Sequence, residues 1–394
     1  MNAPLPRPSD RQRAFVRAQM SESLRLMPPA ARDALAGSRL LVTGASGFFG
    51  AWILVAAEAL NAQGAGLRVQ ALSRGPSAFA DRWPELAGNL DPQSPSAPWL
   101  QWLDGGFERL ADAAPVDGIL HLAGSSDKAG NDARPFLMAQ MTLDGAVQCA
   151  QKAQKDKARW LLASSGAIYG SRSASQGPAR EEDAARSAPE PMAQGSAPGY
   201  GHAKRLAEWV AAQAGGVIAR PFAFAGPLLP LDWHFAAGNF ARDALADQPI
   251  RLLGDGTPLR SYMHPADLAV WILSLWALGE PAQAYNVGGE ERVSLWELAE
   301  RFAQIADSPA PERAREPNPL ATPELYAPDC SKARALGLAC AFGLSDSLGS
   351  LLAFERLASA PAHAVLPSAD QVAAHCAEGN LGADPLGSGR ASHG

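Results

Sequence analysis

The sequence predicts an α/β fold in which a parallel sheet carries helices on both faces. Three observations predict it. Short apolar runs recur as candidate strands: Leu40-Leu41-Val42, Leu67–Leu72, Gly118–Gly124, Arg159–Ser165 and Val217-Ile218-Ala219. Between them lie stretches with helical apolar spacing, such as Ala51–Leu60 and Met138–Gln154. Strand and helix in alternation is the pattern of βαβ units, whose helices cover both faces of a parallel sheet. The first strand also runs directly into three glycines, Gly44, Gly47 and Gly50, before the first of these helices.

Bulk properties narrow the function classes. The chain has 394 residues, 47% of them hydrophobic, enough for one large or two smaller domains with a sizeable core. A net charge of −6 gives no basic surplus of the kind nucleic-acid binders show, so no nucleic-acid partner is expected. Cys149, Cys330, Cys340 and Cys376 are scattered, without metal-type spacing or a disulfide framework. No metal is expected, and the compartment reads as reducing and cytoplasmic. The start of the chain, with Arg7, Arg11, Arg13 and Arg17, lacks the apolar stretch of a signal peptide. Leu268–Leu278 is too short to cross a bilayer and reads as a buried helix, so no membrane partner is expected.

Taken in order, residues 1–37 form an N-terminal extension. Pro4, Pro6 and Pro8 keep its start extended, and Arg11–Leu26 reads as a helix with a ragged apolar face, a packing extension without chemistry. Residues 38–227 are expected to form a dinucleotide-binding domain of the Rossmann type, a doubly wound parallel sheet. Strand, glycine turn and helix are the context that gives a dinucleotide fingerprint its meaning. Gly44 permits a tight turn, Gly47 lets the backbone approach a pyrophosphate, and Gly50 lets the helix lie close on the strand. The start of the helix, Phe48-Phe49-Gly50, offers N–H groups and a positive dipole end to phosphates. A glycine turn in some other α/β protein is the alternative.

The second strand, Leu67–Leu72, ends at Ser73-Arg74, where an NAD site usually carries an acid for the ribose 2′-OH. A guanidinium suits a 2′-phosphate, which tilts the expectation toward NADP over NAD; otherwise Arg74 stacks on the adenine or faces water. Phe79–Pro98 reads as loop with a short helix, and Trp99–Asp104 as a third strand that brings Asp104 near the adenine. Gly118–Gly124 ends in Leu122-Ala123-Gly124, where a cofactor can pass closely, and His121 within it reads as a core residue. Ser171–Gly199 is a long loop beside the site and a candidate lid. Beyond Pro227 the rhythm changes, and residues 228–359 are expected to form a smaller mixed α/β substrate region, with some segments returning to the first domain. Residues 360–394, rich in Ala, Gly, Pro and Ser, read as a disordered tail.

Tyr200 and Lys204 stand four apart at the start of a helix and share one face. An ammonium beside a tyrosine stabilises the phenolate and lowers its pKa from about 10 toward working pH. Such a tyrosine takes a proton from a hydroxyl as hydride leaves, or returns one to a ketone. Ser165, at a strand end, can orient the same oxygen. Together they point to alcohol–ketone exchange with a nicotinamide. Each group alone occurs commonly on solvated faces and strand ends; their order behind the glycines carries the inference.

With these motifs in hand, the chain resembles an extended short-chain dehydrogenase/reductase of the NAD-dependent epimerase/dehydratase group. The resemblance covers about Ser38 to Arg356. It rests on Thr43–Gly50, His121–Gly124, Ser164–Gly170, the Tyr200/Lys204 pair and Arg220–Pro227, followed by Gly254–Arg260, Tyr262–Ala269 and Tyr285–Gly288. It implies Ser165, Tyr200 and Lys204 as catalytic residues, with Lys204 also holding the nicotinamide ribose. It implies Gly44, Ser46, Gly47, Phe48, Phe49, Gly50, Ser73, Arg74, Asp104, Leu122, Ala123 and Gly124 at the cofactor, and Arg260 at a substrate diphosphate, where a planar fork suits the ligand. Asn239 is a further substrate-contact candidate, and His264 and Asp267 read as structural. Two departures matter. Gly166-Ala167 stands where family dehydratases carry Asp-Glu to expel water, and the related sugar-acid decarboxylases usually have a glutamate there too. Thr142 and Ala223 stand where many members carry asparagine.

The expected function is therefore hydride transfer at a ring carbon of a nucleoside-diphosphate sugar, as a C4 epimerase or a 4-ketoreductase, with NADP or NAD. The alternatives are a reductase of small carbonyls or steroids and a non-catalytic dinucleotide sensor on the same fold. Leu206, Trp209 and Val210 on the Tyr200 helix read as core at their spacing, and in relatives two such helices often build a dimer, so a homodimer is expected.

Overall fold

The structure, a computed structural model, describes residues 7–91, 97–124, 133–186, 196–233 and 235–359. The expected tail lies outside the described residues. Nine longer helices and thirteen strands carry the argument. The helices are α1 (Asp10–Arg25), α2 (Pro29–Leu35), α3 (Phe48–Ala62), α4 (Pro135–Asp156), α5 (Ser196–Gln213), α6 (Ala236–Leu245), α7 (Pro265–Leu278), α8 (Leu295–Ala306) and α9 (Leu344–Ser359).

Among the described residues, seven parallel strands form the main sheet: β1 (Arg39–Thr43), β2 (Arg68–Ser73), β3 (Leu100–Asp104), β4 (Gly118–His121), β5 (Arg159–Ala163), β6 (Val217–Pro221) and, from far along the chain, β10 (Ala284–Val287). Their order is β10-β6-β5-β4-β1-β2-β3. The order reverses between β1 and β4, and a crevice at such a switch point, outside the carboxyl ends of the strands, is where ligands of these sheets bind. This is the Rossmann-type fold the alternation predicts.

On one face, α1, α2, α3 and α7 bury Met20, Leu24, Leu35, Trp52, Trp271 and Trp276. On the other, α4 and α5 bury Ala146, Cys149, Ala207 and Ala211 against Trp160 and Leu162. Helix α7 starts on Pro265, with Nδ1 of His264 accepting from the Ala266 N–H (3.1 Å), and nearly all of its length is buried. Leu268–Leu278 is thus a core helix, and no described helix is long and apolar enough to cross a membrane. Helix α1 carries a Ser9/Gln12 capping box and is tied in by polar contacts: Gln12 donates to the Phe354 carbonyl (2.8 Å) and Ser23 to Asp267 (2.7 Å). Asp267 also accepts from the Ala341 and Phe342 N–H groups, a structural role as expected.

Two expectations are corrected. Leu206 and Trp209 are not core: they are 46% and 61% exposed. The buried stripe of α5 runs one step round the helix, through Ala203, Ala207 and Ala211. Small residues fill that stripe because α5 lies close on α4 and the sheet, so the large side chains point outward. Of the expected lid, residues 196–199 form the first turn of α5, and residues 171–186 are tied down. The latter pair with 323–329 through Leu325 N–H to the Arg172 carbonyl and Ala179 N–H to the Ala327 carbonyl (2.8 and 2.9 Å). Residues 187–195 lie outside the described set.

A second, smaller sheet sits beyond the carboxyl edge of β6. Its strand β9 (Leu259–Met263) pairs with β7 (Ala223–Phe224), β11 (Arg292–Ser294) and β13 (Leu325–Tyr326). The register sets Tyr326 opposite Arg260. Helices α6, α8 and α9 pack behind it through Phe240, Leu298, Phe302, Leu348 and Leu351. The remaining strands, β8 (Arg251–Leu252) and β12 (Glu312–Arg313), form a short parallel pair.

Candidate active site

The glycine turn has the geometry a dinucleotide needs. Gly44 follows β1 with φ +72°, in the left-handed region, and a Cβ there would lie 2.7 Å from the Ala123 nitrogen. Gly50 is buried in the first turn of α3, where a Cβ would lie 2.4 Å from the carbonyl oxygens of Gly44 and Ala45. Gly47 is the N-cap and no side chain caps the helix, so the first-turn N–H groups are turned to the crevice. This cradle, which any side chain would fill, fits a dinucleotide pyrophosphate. Thr43 holds the crevice walls together: its hydroxyl shares a hydrogen bond with Nδ1 of His121 (2.7 Å) and accepts from the Ala123 N–H (3.3 Å). His121 is buried, and burial aided by the Lys204 charge pulls it down to about 3, so it is a neutral core residue.

At the far end of the crevice, Ser46 and Ser73 share a hydrogen bond between their hydroxyls (2.5 Å). Asp104 is the register partner of Ser73. Arg74, just beyond β2, is exposed, as is Asp104. The expected adenosine-side residues therefore gather at the carboxyl ends of β2 and β3. Phe48 and Phe49 point toward the second sheet, Phe49 meeting Phe224 edge-on at 5.3 Å.

The expected reacting groups gather at the end of β5. Ser165 caps a helical turn, its hydroxyl accepting from the Ala167 N–H (3.1 Å). Helix α5 begins one turn before Tyr200 and presents Tyr200 and Lys204 to the same place. The ammonium of Lys204 donates to the Ala163 carbonyl (2.9 Å) and lies 5.9 Å from the Tyr200 ring centre. A Cβ on Gly124 would come within 3.1 Å of that ammonium, so the bare end of β4 makes room for it. Burial pulls Lys204 down to about 8, opposed by Glu208. Burial pushes Tyr200 up to about 12, opposed by a hydrogen bond from Ser165. The direction for Tyr200 is the reverse of that expected from the Tyr–Lys pair, because desolvation outweighs the ammonium, whose hydrogen bond goes to Ala163.

On the side where a substrate is expected, Arg260 lies with its guanidinium 5.7 Å from the Tyr326 ring centre and pairs with Glu324 (3.1 Å). Asn239 sits on α6, where its side-chain oxygen accepts from Arg242 (3.4 Å). That contact keeps it within its own helix, whereas Arg260 reaches the hydroxyl cluster through Tyr326.

The sequence matches the NAD dependent epimerase/dehydratase family over residues 40–288, more than half of the chain. The chain belongs to that family. Two curated relatives are UDP-glucuronic acid decarboxylases 1 and 4 of Arabidopsis thaliana. They are 28% and 29% identical over 225 and 227 residues, 56% of this chain in each case. The chain spans about half the length of the curated relatives it matches, 50% and 49%. Among solved structures, the fold is shared with an epimerase of Methanothermobacter thermautotrophicus (TM-score 0.67, 20% identity, 85% of this chain and 98% of that one). It is shared too with the dTDP-glucose 4,6-dehydratase DesIV of Streptomyces venezuelae (0.65, 21%, 81% and 97%). A third is the UDP-glucuronic acid 4-epimerase of Bacillus cereus, solved with UDP-glucuronic acid and NAD (0.64, 21%, 82% and 99%).

Two groups at this candidate site escape the sequence pattern. Tyr326 shares the Ser165 hydroxyl with Tyr200, and burial pushes it up as well. It sits on a two-residue strand, too short to give a periodic signal. Glu208 and Arg220 form a buried ion pair behind the reacting groups (2.7 Å). Here a signal existed: Tyr200, Lys204 and Glu208 follow one another at four-residue spacing on a face otherwise lined by alanines.

Proposed function

We propose that this chain is an NAD(P)-dependent enzyme that transfers hydride at a ring carbon of a nucleoside-diphosphate sugar, with Tyr200 as acid/base. The observation that carries it is the meeting of Ser165, Tyr200 and Lys204 at the end of β5, with Tyr326 sharing the Ser165 hydroxyl and Arg260 lying over the Tyr326 ring. The nicotinamide, when bound, accepts or supplies the hydride. Tyr200, protonated when its pKa is pushed up, returns a proton to a ketone oxygen; as phenolate it takes the proton from a hydroxyl. Ser165 orients that oxygen by its own hydrogen bond. Lys204 contributes positive charge beneath the tyrosine, and Arg260 has the forked donors a diphosphate accepts. Epimerisation at C4 and reduction of a 4-keto sugar both follow from this set.

The curated relatives are named decarboxylases of UDP-glucuronic acid. The lack of a carboxylate at either Gly166 or Ala167 argues against that reaction here, and Gly166 is closed to any side chain. A Cβ at this position would lie 2.8 Å from the Phe222 ring and from the Tyr326 hydroxyl, so no acidic side chain fits in place of the glycine. The exposed position of Arg74, with no acid directly after β2, supports acceptance of a 2′-phosphate, against the NAD named for the structural relatives. A second copy of the chain is the expected partner: Trp209 and Leu206 on α5 and Phe136 and Leu137 on α4 expose a large apolar surface.

The test supplies UDP- and dTDP-sugars with NAD, and their 4-keto forms with NADPH, following epimers by NMR and reduction by absorbance. Tyr200→Phe should lower kcat by about 10²–10⁴-fold with dinucleotide affinity unchanged. Normal dinucleotide binding with no turnover of any sugar nucleotide would favour the sensor. Turnover of simple ketones that ignores Arg260→Ala would favour a small-carbonyl reductase.

A further inference from the structure

Behind the reacting groups lies a buried charge cluster that the chemistry above does not use. Glu208 is one helical turn beyond Lys204 on α5 and buried. Its carboxylate is held by the Arg220 fork, Nε to Oε1 at 3.0 Å and Nη2 to Oε2 at 2.7 Å. The Ser164 hydroxyl donates to the same Oε1. Ser164 is the residue before Ser165, and its N–H is bonded to the Ala219 carbonyl on β6 (2.7 Å). Arg220 continues the network: its Nη1 donates to the Tyr169 hydroxyl (2.9 Å) and the Glu181 carbonyl (3.0 Å). Tyr169 in turn donates to Asn286 on β10 (2.7 Å), and Asn286 donates to the Ala179 and Asp329 carbonyls (2.8 and 3.1 Å).

We propose that Glu208 is a positioning residue: clamped by Arg220, it fixes the strand end that carries Ser165 and stands as the counter-charge to the Lys204 ammonium. This rests on the reading of Ser165, Tyr200 and Lys204 as the reacting groups. Removing one partner of a buried ion pair leaves an uncompensated charge, so retaining such a pair needs every remaining hydrogen bond made. Here Ser164 and Tyr169 make them. The placement also has an electrostatic consequence. The charged or titratable groups around Lys204 are Tyr200 on its own helix, His121 from β4 and Glu208. Burial keeps His121 neutral, and Tyr200 is protonated. Glu208 is therefore the anion that opposes the desolvation of Lys204. Facing Glu208 itself are Arg220 from β6 and Tyr169 from the turn after β5. A lysine whose ammonium is favoured by a neighbouring anion loses its charge at lower pH once that anion is removed.

The test reads the lysine directly. Protein labelled with ¹³C at lysine Cε is titrated by NMR, with Lys204→Met assigning the signal. Wild-type Lys204 should titrate near the value of about 8 that burial and Glu208 together set. In Glu208→Gln the midpoint should fall by about one unit, a tenfold change in the proton equilibrium, and Glu208→Asp should restore most of it. If Glu208→Gln does not fold, the double variant Glu208→Gln/Arg220→Met removes both charges without stranding one, and the midpoint should again fall. A folded variant that melts earlier but leaves the Lys204 midpoint in place would overturn the proposal and leave the pair purely structural. With a sugar nucleotide as substrate, the high-pH limb of kcat should move to lower pH in Glu208→Gln. Absence of any turnover would defeat the functional reading alone, since the NMR midpoint needs no substrate.

Discussion

The two sides of the crevice are built by different means. The dinucleotide side is made by backbone. Gly44, Gly47 and Gly50 act by what they lack, and the neighbouring carbonyl and amide groups occupy the space a side chain would need. The proposed substrate side is made by side chains brought together from distant segments: Arg260 on β9 and Tyr326 on β13 meet because two short strands pair in one register, and Tyr326 shares the hydroxyl of Ser165, after β5. A backbone-made surface fails all at once when a side chain intrudes. A side-chain-made surface fails by degrees, one hydrogen bond at a time.

Gly50→Ala attacks the first side and carries the largest expected effect. The added Cβ would lie 2.4 Å from two backbone carbonyl oxygens, which cannot swing aside as a flexible side chain can. Strand and helix must part, at a cost of about 1–3 kcal/mol in stability. The same displacement moves the α3 N–H groups, and the dinucleotide Kd should rise by roughly 100-fold or more. Titration calorimetry and thermal melts read both. Unchanged affinity would mean that the helix start does not hold the pyrophosphate.

Arg260→Ala attacks the second side and should act by degrees. Losing charge-assisted hydrogen bonds to a diphosphate is worth about 1.5–3 kcal/mol, so KM for a sugar nucleotide should rise by roughly 10–100-fold. The dinucleotide Kd should not change, which separates the two sides. Glu324 already pairs with Arg260 (3.1 Å), and the substrate must compete with it. If KM is unmoved, Arg260 belongs to Glu324 and Tyr326, and the diphosphate is held elsewhere.

This contrast also explains what the sequence discloses. The strands from β1 to β6 are legible because each is a short apolar run, and the glycines are legible because local geometry demands them. Tyr200 and Lys204 stand out by their four-residue spacing together with their place behind the glycine turn. Tyr326 is not, because its place depends on the pairing of β13 with β9, a register that no local pattern encodes. Leu206 and Trp209 mislead for a related reason. Their spacing suits a core stripe, and only the packing of α5 on α4 reveals that the alanines are inside. Glu208 lay in view at the third position of a four-residue series, but a carboxylate on a helix reads as solvated until its Arg220 partner, on β6, is seen.

The smallest expected effect lies in the core behind the second sheet, and it sharpens the contrast between the two sides. Around the main sheet, buried carboxylates are satisfied: Glu208 by Arg220 (2.7 Å), Asp156 by Lys152 (2.6 Å) and Asp267 by the Ser23 hydroxyl and two backbone N–H groups. On α9, Glu355 is partly buried and its Oε1 has no hydrogen-bond partner among the described residues. Burial pushes its carboxyl up from the ordinary 4.5 to about 7. An acid whose pKa is higher folded than unfolded is tolerated best when neutral. The folded state then binds more protons, and stability falls as pH rises from 4.5 to 7. The penalty is absent below that window and complete above it. Glu355→Gln removes the charge while keeping the shape. It should raise stability at pH 8 by about 1 kcal/mol, a figure reduced for the screening of a partly exposed group, with little gain at pH 5. Urea melts at the two pH values read the difference. An equal gain at both would trace the effect to packing, and the substrate side would then be no looser in its charge pairing than the dinucleotide side.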